Sequence, residues 1–201
     1  MRQGTPFVDF TPEDCREVFS VIDARQIVAL MFHDQMADYF NFLGLDGFKC
    51  MHEYHHLDES ICRRKTKRYF IKHHNKLIEE AKVYDPNVIP SEWLKYSQFD
   101  VTPQVRIQAV QSGFKRYSEW EEETLDFYQR CATLLFELGN IADYNYVNEL
   151  IDDVNDELAE LHKLWLQLKA MNYDTSYTES IQEDLHTKYK REMRELSIKK
   201  L

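Results

Sequence analysis

The stretch DYFNFLGLDGFKCMHEYHHLDE, residues 38–59, decides the fold of this chain. It ends one predicted helix, turns at Gly44 and Gly47, and begins a second helix that carries three histidines and several carboxylates. Histidine and carboxylate side chains at helical spacing are the groups from which a metal site inside a helix bundle is built. The remaining sequence must show whether these groups face inward and whether other helices supply partners for them.

The composition predicts a helical chain with free thiols. The 201 residues are 43% hydrophobic, and only five glycines and five prolines interrupt them, which favours long helices around one core. The net charge of -10 argues against nucleic-acid binding, because cationic contacts dominate affinity for phosphate. The longest apolar run, residues 27–32, is far short of the ~20 residues of a membrane span, and the N-terminus has no apolar signal core. Four cysteines without CxxC pairing favour a reducing, cytoplasmic location.

The helix breakers divide the chain into five predicted helices. Thr11 and Pro12 predict the start of the first helix, which runs to about Leu43. The second runs from residue 46 or 47 to about Val83. A crossover with three prolines follows over residues 85–103 and includes a short capped turn that begins at Ser91. The third helix begins at residue 105 or 114 and ends at 138, the fourth spans 143–171, and the last spans 177–198.

This connectivity predicts an all-α fold, a ferritin-like four-helix bundle with a long crossover between its second and third helices. A plain up-down bundle would join those helices by a short loop, so the crossover separates the two architectures. We expect the bundle to occupy residues 1–172 and a C-terminal helical extension to occupy residues 173–201.

The hydrophobic period of each helix predicts which polar side chains point into the bundle. Each of the four bundle helices places at least one ligand-capable group on its inward stripe, and together these groups are His33, His52, His55, Glu59, Glu123 and Glu157. A single inward histidine is more often a hydrogen-bonded core residue than a ligand. Several inward carboxylates need protons, cations or a metal to offset their burial, so both a site for one or two metal ions and a polar core network remain open.

Within this layout, the first helix junction resembles that of the Dps-type mini-ferritins. In that family the first helix typically ends in an Ala-His-Trp-Asn-like run before a glycine, and Phe-x-x-Leu-His-Glu follows. The counterparts here are residues 37–41 (ADYFN), Gly44, and then Phe48, Met51, His52 and Glu53. Residues 18–168 are similar to the ferritin-like pattern in layout, with Glu123 and Glu157 near the family's carboxylate or amide ligands. The resemblance implies a cytoplasmic protein that assembles into shells, oxidises ferrous iron with peroxide or oxygen, and stores the mineral.

The chain departs from the mini-ferritin pattern at the ligand positions themselves. Tyr39 or Asp38 replaces the ligand histidine of the first helix. Lys67 and Ile71 fall where that family has an Asp-x-x-x-Glu pair on the second helix. These departures argue against an intersubunit metal centre of the mini-ferritin kind.

The Glu-x-x-His motif of ferritins has a literal match at Glu53 and His56, but the helical period puts that pair on the outer face. A metal site within one subunit, formed by His52, His55 and Glu59, remains possible in place of the intersubunit centre.

Two functions follow from the sequence. The first is a metal-binding protein of ferritin-like fold that holds iron or manganese and oxidises or stores iron, as a ferroxidase-type oxidoreductase would. The second is a non-enzymatic helical protein for assembly or partner binding, for example an accessory protein of a phage or mobile element, with a degenerate metal site. We expect a homo-oligomer with metal ions as its ligands and with neither membrane nor nucleic acid as a partner.

Overall fold

The computed structural model describes residues 14–79, 83, 85–89 and 93–199, and these ranges contain helices but no strand. The helices are α1 (Cys15–Phe42), α2 (Asp46–His74), α3 (Pro103–Glu137), α4 (Ile141–Ala170) and α5 (Thr175–Lys199). One turn of 3-10 helix (Gln98–Asp100) lies in the crossover between α2 and α3. The predicted all-α architecture, with its long crossover and extra C-terminal helix, is confirmed. None of the described helices is long and apolar enough to cross a membrane.

The junction between α1 and α2 forms because Gly44 adopts the left-handed conformation, with φ of +69°. This conformation lets the backbone N–H of Leu45 donate to the Phe40 carbonyl at 2.9 Å and that of Gly44 donate to the Asn41 carbonyl at 3.0 Å. Both bonds pair carbonyls that the end of a helix otherwise leaves without donors. The short turn makes α1 and α2 antiparallel neighbours along their length.

The other end of α2 differs from the prediction. The helix ends at His74, well before Val83, because Asn75 adopts a left-handed φ of 53° and donates its N–H to the Ile71 carbonyl. Asparagine tolerates this conformation better than most residues other than glycine, so it ends the helix where no glycine or proline marks a stop.

The remaining helix ends are set by side-chain caps and by one further glycine. At the start of α1, the Asp14 side chain accepts from the backbone N–H of Glu17 at 3.0 Å. Thr102 caps α3 in the same way, and Gly139, with φ of +74°, separates α3 from α4. The predicted caps at Thr11, Pro12 and Ser91 lie outside the described residues.

Two clusters of buried apolar side chains fill the bundle, one toward each end. Phe32, Phe48 and Trp120 belong to the first cluster, and Ile22 and Phe127 belong to the second. Buried polar side chains occupy the stretches where the two clusters meet along α1 and α3, namely Arg25, Gln26, Glu121 and Thr124. The fold therefore holds a polar layer in its middle, and the candidate site lies there.

The fifth helix is packed against α2 and shares the core. Its Ile181 and Tyr189 are 9% and 4% exposed. The side-chain oxygen of Gln182 accepts from the backbone N–H groups of Gly47 at 2.8 Å and Phe48 at 3.0 Å. α5 thus supplies the cap that the N-terminus of α2 lacks from its own sequence. The division of the chain at residue 172 stays a prediction.

Candidate metal centre

Three histidines from α1 and α2 meet inside the bundle. His33, His52 and His55 are 1%, 0% and 8% exposed. The centroid of the His33 ring lies 5.3 Å from the centroids of both other rings. Nδ1 of His33 lies 3.0 Å from Nδ1 of His52, so one of these nitrogens donates a hydrogen bond to the other. The packing of α1 against α2 brings the rings together, since His52 and His55 lie one turn apart on the same face.

Three carboxyl groups from α2, α3 and α4 complete the cluster. Glu121 is 3% exposed, and its Oε1 lies 3.9 Å from Nε2 of His33. Oε1 of Glu157 lies 3.4 Å from Nδ1 of His55. Glu59 follows His55 by one turn of α2, and its buried Oε2 has no hydrogen-bond partner. The structure thus brings together five of the residues that the sequence predicts and adds Glu121.

The prediction that Glu123 faces inward is wrong. Its side chain is 46% exposed, and its Oε1 lies 4.0 Å from NH1 of Arg116. The inward stripe of α3 is centred on Tyr117 and Thr124, and Glu121 lies four residues after the first and three before the second. That spacing was available in the sequence and identifies Glu121 as the inward carboxyl group.

Tyr117 on α3 forms one wall of the cluster. Its ring centroid lies 4.7 Å from that of His52, 5.6 Å from that of His33 and 6.1 Å from that of His55. Sequence analysis missed this residue, because a tyrosine on an apolar stripe has the same pattern as ordinary core packing.

Arg25 on α1 is a buried cation beside the carboxyl groups, and it too was missed. It is 2% exposed, its guanidinium lies 3.6 Å above the Trp120 ring, and it donates to the Thr124 hydroxyl. Its positive charge lowers the pKa of Glu59 and of Glu121, against the larger effect of burial. Charged residues are rarely buried, so the sequence alone favours the surface for an arginine.

Burial keeps two of the histidines neutral. It lowers the pKa of His33 and of His52 well below the ordinary value of 6.5, and the neighbouring histidines lower both further. His55 behaves differently: burial lowers its pKa, but Glu157, Asp58 and Glu160 together outweigh burial and raise it. A neutral imidazole has a lone pair on one nitrogen, which is the state that binds a metal ion.

Burial also favours the protonated carboxyl form. The pKa of Glu59 is raised to about 8, first by burial and then by the nearby charges of Glu157 and Asp58. The pKa of Glu121 is raised well above 4.5 by burial first and then by Glu157 and Glu59. The metal-free site therefore carries fewer negative charges at neutral pH than its carboxyl groups suggest.

Glu53 and His56, the literal Glu-x-x-His match, are engaged elsewhere. Glu53 lies 3.7 Å from Lys49 and 3.9 Å from Lys190 of α5. Nδ1 of His56 lies 3.0 Å from the Leu30 carbonyl.

The donor set fits iron in its chemistry, since imidazole nitrogens and carboxylate oxygens are ligands of this metal. Three buried atoms of the cluster have no hydrogen-bond partner in the protein: Nε2 of His52, Nδ1 of His55 and Oε2 of Glu59. As they stand, no three His, Cys, Asp or Glu side chains of the described part of the chain form a group that could hold a metal ion. Binding would therefore require some of these side chains to turn toward the ion.

No protein-family model and no curated protein matches the sequence, but solved structures match the fold. A closed form of the Archaeoglobus fulgidus ferritin, engineered by site-directed mutagenesis, is 18% identical with a TM-score of 0.70 and covers 88% of this chain and 97% of its own. A humanized archaeal ferritin is 15% identical with a TM-score of 0.71, over 88% and 98%. A PmFTN variant soaked in iron is 13% identical with a TM-score of 0.64, over 85% and 98%. These likenesses establish a ferritin-like fold.

Proposed function

Starting from a ferritin-like fold, we propose that this protein binds ferrous iron within the cluster formed by His33, His52, His55, Glu59, Glu121 and Glu157, and oxidises it for storage. The observation that supports this proposal is the convergence of imidazole and carboxyl groups from four helices, with three of their atoms buried and unpaired. Each such atom destabilises the folded chain by about 1–3 kcal/mol unless something binds it. A cation bound by these atoms would offset their cost.

The protonation of the metal-free site is suited to iron uptake. Neutral His33 and His52 can bind without first losing a proton. Glu59, with its pKa of about 8, must lose a proton before it becomes a ligand. Iron binding therefore releases protons and becomes tighter as pH rises toward 8.

Oxidation would follow from the metal's own chemistry once it is bound. Two ferrous ions, one dioxygen molecule and two protons give two ferric ions and one hydrogen peroxide molecule. The protein's part would be to bind the iron with the cluster's imidazole and carboxylate groups, beside the Tyr117 and Phe32 rings, and the carboxylates would favour the higher charge of the ferric state.

An anaerobic titration with Fe²⁺ tests the proposal, with two matched variants of α3. We expect the wild-type chain to bind iron and Glu121→Gln to lose at least tenfold in affinity, since a buried ligand becomes neutral. Glu123→Gln, the same change two residues away on an exposed side chain, should bind as the wild type does. Equal loss in both variants, or in neither, would refute this assignment of the site.

A second function is favoured by one observation. The contact of 3.0 Å between the Nδ1 atoms of His33 and His52 pairs the two rings with each other, as in a polar core network without metal. On this alternative the bundle serves assembly or partner binding, and the metal site is degenerate. Purified protein would then bind no iron at any pH between 6 and 8. Its mass by light scattering would test the prediction of a homo-oligomer, which both functions share.

A further inference from the structure

A cavity of about 290 Å³ lies where α4 and α5 face each other, next to the candidate metal centre. His55 and Glu157 contribute to its lining, and α5 contributes Leu185, Lys188 and Tyr189. At roughly 30 Å³ for each water molecule, the cavity has room for on the order of ten. That is enough for a divalent cation with its hydration shell.

His55 and Glu157 form the inner end of the cavity. His55 is only 8% exposed, and its Nδ1 has no hydrogen-bond partner. Oε1 of Glu157 lies 3.4 Å from that nitrogen, at ion-pair distance. An imidazole nitrogen and a carboxylate that face the same cavity can serve as the first ligands of an entering cation.

The outer end is closed by an ion pair. Nζ of Lys188 lies 2.9 Å from Oε2 of Glu160, and their side chains are 35% and 67% exposed. The same ammonium lies 4.7 Å from the centroid of the Tyr189 ring. That ring lies 5.9 Å from the His55 ring, so Tyr189 connects the ion pair at the surface to the buried histidine.

Two carboxylates of the cavity lining attract a cation, and two lysines of the lining, Lys163 and Lys188, repel it. Glu160 lies outside and Glu157 inside, and each attracts a divalent cation. The Lys188 ammonium neutralises the outer carboxylate. Burial lowers the pKa of Lys188, but the hydrogen bond to Glu160 and the nearby Tyr189 and Glu192 outweigh it and raise the pKa. The ammonium thus stays charged and repels an approaching cation.

We propose that Fe²⁺ reaches His55 and Glu157 through this cavity, and that the ion pair between Lys188 and Glu160 limits how fast it passes. The inference rests on the proposed function, because it assigns the route to the same site. It gives α5 a functional part: this helix forms the outer wall of the route and carries the cation that restrains uptake.

Stopped-flow mixing of the full chain with Fe²⁺ under argon, followed by tyrosine and tryptophan fluorescence, measures the binding rate without any oxidation. At low ionic strength, Lys188→Ala should raise the rate about two- to tenfold, because the repelling charge is gone and Glu160 attracts the ion. Glu160→Ala should lower the rate, because the ammonium then stands alone. Lys115→Ala is the matched control, since it breaks an exposed pair with Glu119 on α3 and should change nothing.

The amount of iron bound at equilibrium separates failure of the route from failure of the function. Opposite rate changes in the two cavity variants, with equal iron bound in all proteins, support the route. Equal rates in every protein, again with iron bound, would overturn the route and leave the proposed function standing. A wild-type chain that binds no iron at equilibrium would overturn both.

Discussion

Replacing Glu59 by glutamine should stabilise the metal-free protein at alkaline pH. Burial raises the pKa of this carboxyl group from its ordinary 4.5 to about 8. Between these values the folded chain holds a proton that the unfolded chain has already released, so the free energy of unfolding falls as pH rises through this window. The slope is about 1.4 kcal/mol for each pH unit, which amounts to about 2 kcal/mol between pH 6.5 and pH 8. Glutamine keeps the shape and cannot ionise, so Glu59→Gln removes this contribution.

Thermal unfolding of chelator-treated protein at pH 6.5 and pH 8 measures the effect. A change of about 2 kcal/mol corresponds to roughly 4–8 °C in Tm for a chain of this size. We therefore expect the Tm difference between Glu59→Gln and wild type to grow by that amount from the lower to the higher pH. Glu123→Gln, an exposed carboxylate on α3, should show no such growth. If the Tm of Glu59→Gln and the Tm of the wild type change with pH by the same amount, the claim that Glu59 is protonated in the folded chain is refuted.

Three changes elsewhere test the packing that positions the site, each by denaturant unfolding. Gly47→Ala should destabilise the chain by about 1–3 kcal/mol, because a Cβ there would collide with the backbone of Gln182 on α5. An unchanged free energy of unfolding would show that α5 does not pack this closely against α2. Gln182→Ala should remove the acceptor for Gly47 and Phe48 and lose about 1–2 kcal/mol, whereas Gln182→Glu keeps an acceptor and should lose less. Arg63→Ala should lose about 2 kcal/mol, since it leaves the 1% exposed Asp23 without its two-fold hydrogen-bonded partner; an unchanged midpoint would show that this pair adds nothing.

The sequence predicts the helices and their connectivity well because local physics sets them. Gly44 ends α1 through a conformation that other residues seldom adopt, and the helical period alone places His33 and His52 inside. The end of α2 could not be predicted in the same way. Asn75 tolerates the left-handed conformation without requiring it, so tertiary contacts decide whether it ends the helix.

The errors within the site come from rotation about a helix axis. Trp120 and Phe127 lie at one edge of the buried stripe of α3, and Glu123 is on their side of the helix, whereas Glu121 lies nearer the middle of the stripe. Arg25 was not predicted because no sequence pattern places a charged side chain in a core. The cavity beside the site could not be predicted from the sequence either. It forms because α5 packs over α2 and α4, and no pattern within α5 fixes that position.

The energetic cost of the polar interior is the physical argument for a ligand. The unpaired atoms of His52, His55 and Glu59 together destabilise the fold by roughly 3–9 kcal/mol, at about 1–3 kcal/mol for each. The entire stability of an ordinary protein is only about 5–15 kcal/mol. A bundle that served only as a scaffold would be more stable with leucine at these positions, as buried polar groups replaced by apolar ones of similar shape show elsewhere. The contact between His33 and His52 satisfies one nitrogen of each ring and leaves Nε2 of His52 without a hydrogen-bond partner. If iron binds there as proposed, the metal-loaded chain should unfold at a higher temperature than the metal-free one, and the difference should grow with the logarithm of the iron concentration.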